Sequence, residues 1–177
     1  MKANVYIATS LDGFIARKDG SVYWLTDIEN PPKEDYGYEE FVKNIDCHVM
    51  GRHTFDLVLS FPRWVYTKKV FVLSSTLKSL PEELTDKVEV ISMPPKEVFN
   101  HLSKLGYNNI YVDGGKTVQG FLKEDLIDEI TITKVPILIG SGFPLFGCLD
   151  YDIKFSYIDT VTYPNGLVKC HYKRIRE

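Results

Sequence analysis

Residues 109–122 read NIYVDGGKTVQGFL, and the reading of this stretch decides the fold. Ile110, Tyr111 and Val112 form a short run of β-branched and aromatic residues, the signature of a buried strand. The run stops at Asp113 and a glycine pair. From Lys116 the apolar residues recur at helical spacing, which predicts a helix over KTVQGFLKEDLID (116–128). A strand delivered into a helix through two glycines is half of a βα unit, and such units stack into parallel sheets.

The same grammar recurs on both sides. CHVMG (47–51) reads as a buried strand followed at once by the helix RHTFDLVLS, and KVFVLSS (69–75) is again strand-like. KVEVIS (87–92) precedes PPKEVFNHLSKLG (94–106), where Val98, Phe99, Leu102 and Leu105 keep a helical period between prolines and Gly106. Upstream, ANVYIAT (3–9) predicts a strand, and Asp12-Gly13 and Asp19-Gly20 bracket FIARK as a loop or small hairpin. The acidic stretch Asp27–Glu40, with Pro31, Pro32 and Gly37, predicts a surface excursion ending in a short helix near Tyr38–Asn44. Downstream, EITITKVPILIG (129–140) reads as strand, and KFSYIDTVTYPNGLVKCHYKRI (154–175) as two long strands joined at Pro164-Asn165-Gly166. The expectation is one α/β domain over residues 1–177, its sheet parallel in the centre and antiparallel at one edge.

Composition narrows the function classes. The 177 residues are 44% hydrophobic and 25% charged, with a net charge of −3. No basic block is present to engage a phosphate backbone, which argues against nucleic acid as partner. Cys47, Cys148 and Cys170 have no metal-like spacing and read as reduced thiols. No apolar run suits a signal core or a membrane span. A cytoplasmic protein acting on a small molecule, with no metal site, is expected.

Three strand-to-helix junctions carry the chemistry. In open α/β sheets ligands collect at the carboxyl ends of strands, where helix N-termini present free amides. Gly51-Arg52-His53-Thr54 offers close approach, amides and a fixed cation. Leu73, Ser74 and Ser75, with Thr76 beyond, place hydroxyls past a strand with no carboxylate to read a free ribose 2′-OH. If a dinucleotide binds, Arg52 and the serines favour its 2′-phosphorylated form. Asp113-Gly114-Gly115-Lys116-Thr117 can cradle a pyrophosphate. Each junction also has a plain explanation as a turn or cap; their co-occurrence is the signal. Neither a G-x-G-x-x-G nor a G-x-x-x-x-G-K-[ST] fingerprint is present.

ATSLDGFIA (8–16), MGRHTFD (50–56), VFVLSS (70–75) and IYVDGGKTVQGFL (110–122) stand in the order and spacing of the dihydrofolate reductase superfamily, which the chain resembles over nearly its whole length. The resemblance implies a three-layer α/β/α fold with a mixed, mostly parallel sheet of about eight strands and a C-terminal antiparallel hairpin. It implies NADPH as cofactor. Gly51, Arg52, His53 and Thr54 would lie along the phosphates, with Ser74 and Ser75 at the 2′-phosphate. Gly114 and Gly115 would lie at the pyrophosphate and nicotinamide side, and Ala8, Ile15 and Ala16 near the nicotinamide. Trp24 would stand near the substrate mouth, with a packed aromatic as the plainer reading.

Dihydrofolate reductases carry an acid a short step before a phenylalanine of their first helix. Anchored on Phe41, that position falls at about Gly37, where there is no carboxylate. The second half, YVDGGKTVQGFLKEDLIDEITITKVPILIGSGFPLF, closely resembles the reductase domain of the riboflavin-biosynthesis deaminase-reductase. Asp113, Asp128, Glu129, Pro136, Gly140 and Gly142 match in turn, Asp113 replacing the usual Glu. Members of this branch are often homodimers.

The expected function is NADPH-dependent hydride transfer to a small polar substrate bounded by residues such as Trp24 and Phe41. Water, Asp113, Glu39 or Asp12 would supply the proton. Dihydrofolate reduction with a relocated carboxylate, and a non-catalytic NADPH-binding module, are the alternatives.

Overall fold

The computed structural model describes residues 1–29, 31 and 34–176. In chain order its elements are β1 (Lys2–Thr9), β2 (Phe14–Ala16), α1 (Tyr23–Thr26), α2 (Tyr38–Lys43), β3 (Cys47–Gly51), α3 (Arg52–Leu59), β4 (Lys69–Leu73), β5 (Val88–Ile91), α4 (Pro95–Lys104), β6 (Asn109–Asp113), α5 (Gly115–Lys123), β7 (Ile127–Lys134), β8 (Phe143–Pro144), β9 (Phe155–Thr162) and β10 (Val168–Arg174). A short 3₁₀ turn, Glu82–Leu84, precedes β5.

Eight strands form one sheet in the order β5-β4-β3-β6-β1-β7-β10-β9, while β2 and β8 pair separately. Every pairing from β5 to β7 is parallel, and β10 runs antiparallel to both β7 and β9. This is the expected mixed, mostly parallel α/β sheet with its C-terminal hairpin.

Alternation along the central strands sorts side chains onto two faces. Cys47 and Val49 of β3 and Ile110 and Val112 of β6 pack on Val98 and Leu102 of α4 and on Val118, Phe121 and Leu122 of α5. Met50 faces the other way and joins Phe55 of α3, Val70, Val72 and Val88. On that second face Phe41 of α2 stacks on Tyr6 of β1 at 4.7 Å and meets Tyr111 of β6 edge-on at 5.1 Å. A third cluster gathers Trp24, Val135 and Leu167.

Two expectations are corrected. The helix predicted over 116–128 ends at Lys123, and β7 begins at Ile127. Between them Asp125 turns the chain at φ 49°, and its carboxylate receives Arg174 Nε at 2.6 Å. Ile127 pairs with Ala3 and is fully buried, so sheet formation overrides local helical periodicity. The strand predicted over 129–140 stops at Lys134, because Pro136 has no N–H to continue the ladder. The FIARK segment does form an extended element, β2, but its partner is β8, far along the chain. Of the acidic excursion, Asn30, Pro32 and Lys33 lie outside the described residues; its predicted closing helix is α2.

Candidate active site

The three junctions singled out in the sequence stand side by side. β4, β3 and β6 are adjacent, Gly51 pairs in register with Leu73, and Met50 with Asp113. Their carboxyl ends therefore finish level at one edge of the sheet. Ser74 follows β4, α3 starts at Arg52 and α5 at Gly115.

The glycines are required by a reciprocal lock between the two helix starts. A Cβ on Gly51 would lie 2.9 Å from Thr117 Oγ1, and one on Gly114 would lie 2.4 Å from Thr54 Oγ1. Each junction's glycine thus admits the threonine of the other helix. Gly114 is also held at φ 89°, where a side chain is strained. Gly115 serves a third contact: a Cβ there would meet the Pro144 carbonyl at 2.8 Å and Ile15 Cδ1 at 3.1 Å. The β2–β8 pair is thereby laid against the start of α5, with Gln119 Nε2 donating to the Pro144 carbonyl at 2.9 Å.

The lock brings two sets of helix N-terminal amides together, and neither first turn contains an acid. Such paired amides favour an anion. Arg52 Nε donates to both Asp56 oxygens at 2.7 and 2.8 Å. Its two terminal amino groups have no partner among the described residues and remain available to a phosphate. Lys116 and Ser75 are exposed. Ser74 Oγ accepts from the Thr76 and Leu77 amides at 3.2 and 3.0 Å, so it shapes the turn that presents Ser75. His53 is exposed, its ring 6.4 Å from Phe143 of β8. Ala8 packs beside the Trp24 cluster. This donor-rich, acid-poor rim fits a dinucleotide with several phosphates.

Asp113 has a different setting. It shares the face of Tyr111 two residues earlier on β6. Burial raises its pKa from 3.8 to about 6, partly opposed by the Gly114 amide, which donates to Oδ1 at 2.8 Å. Around it stand Tyr38, Tyr66 and Tyr111. Burial raises the Tyr38 phenol to about 12 and pushes Tyr66 and Tyr111 upward as well, with the Asp113 charge adding to each. Sequence reading did not single out these tyrosines. Period-2 alternation before Asp113 marks Tyr111, whereas no local signal marks Tyr66, which lies in the irregular segment after α3.

The other candidate acids are placed elsewhere. Asp12 accepts from Ser10 Oγ at 2.6 Å and from the Gly140 amide at 2.7 Å, and these hydrogen bonds, Ser10 foremost, lower its pKa. It ties the first loop to the segment after β7. Glu39 is exposed on α2. Trp24 is 6% exposed, packed with Val135 and Leu167. Phe41 forms part of the aromatic floor beside Tyr111.

Helix α2 is anchored from the hairpin. Tyr36 and Gly37 are both left-handed, at φ 59° and 87°. The Tyr36 carbonyl accepts from Lys169 Nζ at 2.6 Å, Tyr6 Oη at 2.5 Å and Tyr163 Oη at 3.1 Å. Asn165 Nδ2 donates to Tyr36 Oη at 2.7 Å. A Cβ on Gly37 would lie 2.7 Å from Lys169 Nζ, the mobile end of that side chain, and the backbone φ of 87° is what disfavours a side chain at this position.

The model of the RibD C-terminal domain matches residues 2–169. The chain belongs to the RibD C-terminal domain family. It is 35% identical over 176 residues to the uncharacterized protein YwjB of Bacillus subtilis, covering 98% of each chain. It is 45% identical to a putative riboflavin biosynthesis protein from Shewanella sp. PV-4, whose crystal structure it matches with a TM-score of 0.94 over 99% of this chain and 100% of that one. The RibD C-terminal fold is dihydrofolate reductase-like. Enterococcus faecalis dihydrofolate reductase, solved in complex with NADP(H), superposes with a TM-score of 0.68 at 15% identity, over 98% of this chain and 96% of that one. Among the described residues of this family member no helix is long and apolar enough to cross a membrane.

Proposed function

We propose that this protein is an NADPH-dependent reductase of the riboflavin-pathway type, similar to 5-amino-6-(5-phosphoribosylamino)uracil reductases. In this reading it works as a single domain in a cytoplasmic homodimer. The observation that carries the reading is the meeting of two acid-free helix N-termini, with the unused Arg52 amino groups, next to a half-buried acid.

The amides of Arg52–Thr54 and Gly115–Thr117, with Lys116, would hold the cofactor's pyrophosphate. Arg52 and Ser75, on a turn set by Leu73 and Ser74, would hold its 2′-phosphate. Ile15 and Ala8 would bound the nicotinamide. Bound NADPH supplies the hydride, which the protein itself has no group to provide. Reduction of a C=N or C=O bond also needs a proton on the heteroatom. Asp113, with a pKa of about 6, is protonated in a useful fraction near neutrality and can hold that proton beside the bond. Asp12 is ionised and committed to its hydrogen bonds, which makes it the poorer donor.

Titration with NADPH and NADH, followed by tryptophan fluorescence, tests the cofactor half of the reading. Selective binding of the 2′-phosphorylated form is expected, and absence of binding would sink it. NADPH oxidation is then compared with the phosphoribosylaminopyrimidine and with dihydrofolate. Turnover of the first alone supports the riboflavin-type assignment, turnover of dihydrofolate alone replaces it, and binding without turnover leaves a cofactor-binding module.

A further inference from the structure

The outer half of the sheet carries a second concave site. Between α2 and strands β1, β7, β10 and β9 lies a groove of about 370 Å³, a size that admits a small organic molecule. Strand register builds its floor. Tyr6 of β1 pairs with Thr131 of β7, Thr131 with His171 of β10, and His171 with Asp159 of β9, so four side chains cross one face of the sheet in a row. In the next row Asn4 pairs with Glu129. Asp113 belongs to β6, on the far side of β1 from these outer strands, and does not line the groove.

The groove is rich in acceptors that the protein leaves open. Asn4 and Thr131 are 8% and 9% exposed and both line it, yet among the described residues Asn4 Oδ1 and the Thr131 hydroxyl have no hydrogen-bond partner. Asn4 Nδ2 is occupied by the Ile110 carbonyl at 3.3 Å. Buried polar atoms open to a cavity are groups that a ligand can satisfy. Glu129 meets His171 Nε2 at 3.1 Å through Oε2, which leaves Oε1 free among the described residues. The Asp159 carboxylate has no partner among them. The nearby cations are committed or turned away. Lys169 Nζ donates to the Tyr36 carbonyl at 2.6 Å and lies 5.9 and 5.8 Å from the Tyr6 and Tyr163 ring centres. Lys43 pairs with Glu40 of the rim at 2.8 Å. Lys173 stands beside Glu129 in register but makes no ion pair among the described residues and does not line the groove.

We propose that this groove binds a linear organic cation with an N–H-bearing charge at each end, an aliphatic diamine or guanidinoalkylamine. One end donates to Glu129 Oε1, Asn4 Oδ1 and the Thr131 hydroxyl, and the other to the Asp159 carboxylate. β7 and β9 lie two strand spacings apart, about 10 Å, so a single charged end does not serve both carboxylates. An anion is rejected, because it would meet Glu129 and Asp159 with no uncommitted cation to offset the repulsion. The site stands whether or not the reductase reading holds.

Calorimetric titration of the full chain tests this with agmatine, 1,4-diaminobutane, butylamine and succinate. Agmatine and diaminobutane are expected to bind, and succinate is not. Butylamine should bind about tenfold more weakly or worse, and Asp159→Asn and Glu129→Gln should each weaken agmatine by about tenfold or more, the range for one lost hydrogen bond to a charged group. Asp159 is exposed on the edge strand, so Asp159→Asn should keep the wild-type melting temperature and separate lost recognition from misfolding. No agmatine binding at millimolar concentration would overturn the proposal, as would succinate or butylamine binding as well as agmatine. Unchanged agmatine affinity in both carboxylate variants would overturn it too. A dimer that Val161→Arg dissolves, with no agmatine bound, would give the groove to a second copy of the chain instead.

Discussion

The two walls of the cleft are built from opposite materials. On one side, glycines and threonines bring two helix starts together and leave backbone amides, Arg52 and Lys116 facing outward. On the other, tyrosines surround one acid, and among the described residues no cation offsets its burial. The first wall is made of main chain brought close, so it tolerates almost no added side-chain volume. The second is made of side chains, so single-atom changes should alter its chemistry while leaving the fold intact. One wall is thus a rigid donor rim, and the other is set by side-chain chemistry.

The contrast can be broken most severely at Gly114. Gly114→Ala places a Cβ 2.4 Å from Thr54 Oγ1 at φ 89°. A loss of about 3 kcal/mol in urea unfolding is expected, combining backbone strain with overpacking. Adding Thr54→Ala should recover the steric part and leave the backbone part. No recovery would mean that the two helix starts are not locked through this pair.

The second wall is probed by Asp113→Asn. The folded pKa of Asp113 is raised from 3.8 to about 6, so the native state holds its proton more tightly than the unfolded chain does. Stability from this group is fully present below about pH 4, falls as pH rises through about 6, and is then lower by up to about 3 kcal/mol. Burial raises it and the Gly114 amide opposes the rise, while the phenols of Tyr38, Tyr66 and Tyr111 are in turn pushed up by its charge. Asp113→Asn should flatten unfolding free energy between pH 4 and 7 and raise it at pH 7. Turnover, where present, should lose its decline above pH 6 together with most of its rate. An unchanged pH profile of stability would mean the acid is not held in an apolar setting.

Arg52→Ala sharpens the cofactor side without touching the fold. NADPH affinity should fall by about 1.5–3 kcal/mol, the worth of a hydrogen bond to a charged group, with NADH affected far less. Equal losses for both cofactors would mean that Arg52 does not read the 2′-phosphate. The smallest effect is expected from Asp56→Ala. Arg52 and Asp56 form an exposed pair four residues apart, worth at most about 0.5 kcal/mol to the helix. Freed of its partner, Arg52 should bind NADPH at least as tightly, and a weaker complex would show that Asp56 orients the guanidinium for the phosphate.

Local chemistry explains how much was legible beforehand. Glycine after a buried strand, proline at a helix start and Pro-Asn-Gly between two alternating runs act within a few residues, so sequence revealed the βα units and the closing hairpin. Gly51, Arg52, Gly114 and Gly115 were visible for the same reason. The end of α5 was not, because Ile127 is drawn into the sheet by Ala3, more than a hundred residues away. The partner of β2 lay similarly out of reach, since β8 is a two-residue strand with no periodicity of its own.

By itself, the sequence determined an α/β sheet with three glycine- or hydroxyl-bearing strand ends, because strands, helices and their junctions are specified by short-range sterics and periodicity. Tertiary structure alone decided that those ends stand level and adjacent, that the glycines of one helix start receive the threonines of the other, and that Lys169 of the hairpin anchors the Tyr36 carbonyl before α2. It also decided that Tyr38, Tyr66 and Tyr111 converge on Asp113. Strand order, register and burial set these relations; they depend on which residues share space, and burial is what moves the acid's pKa to where a proton can be exchanged.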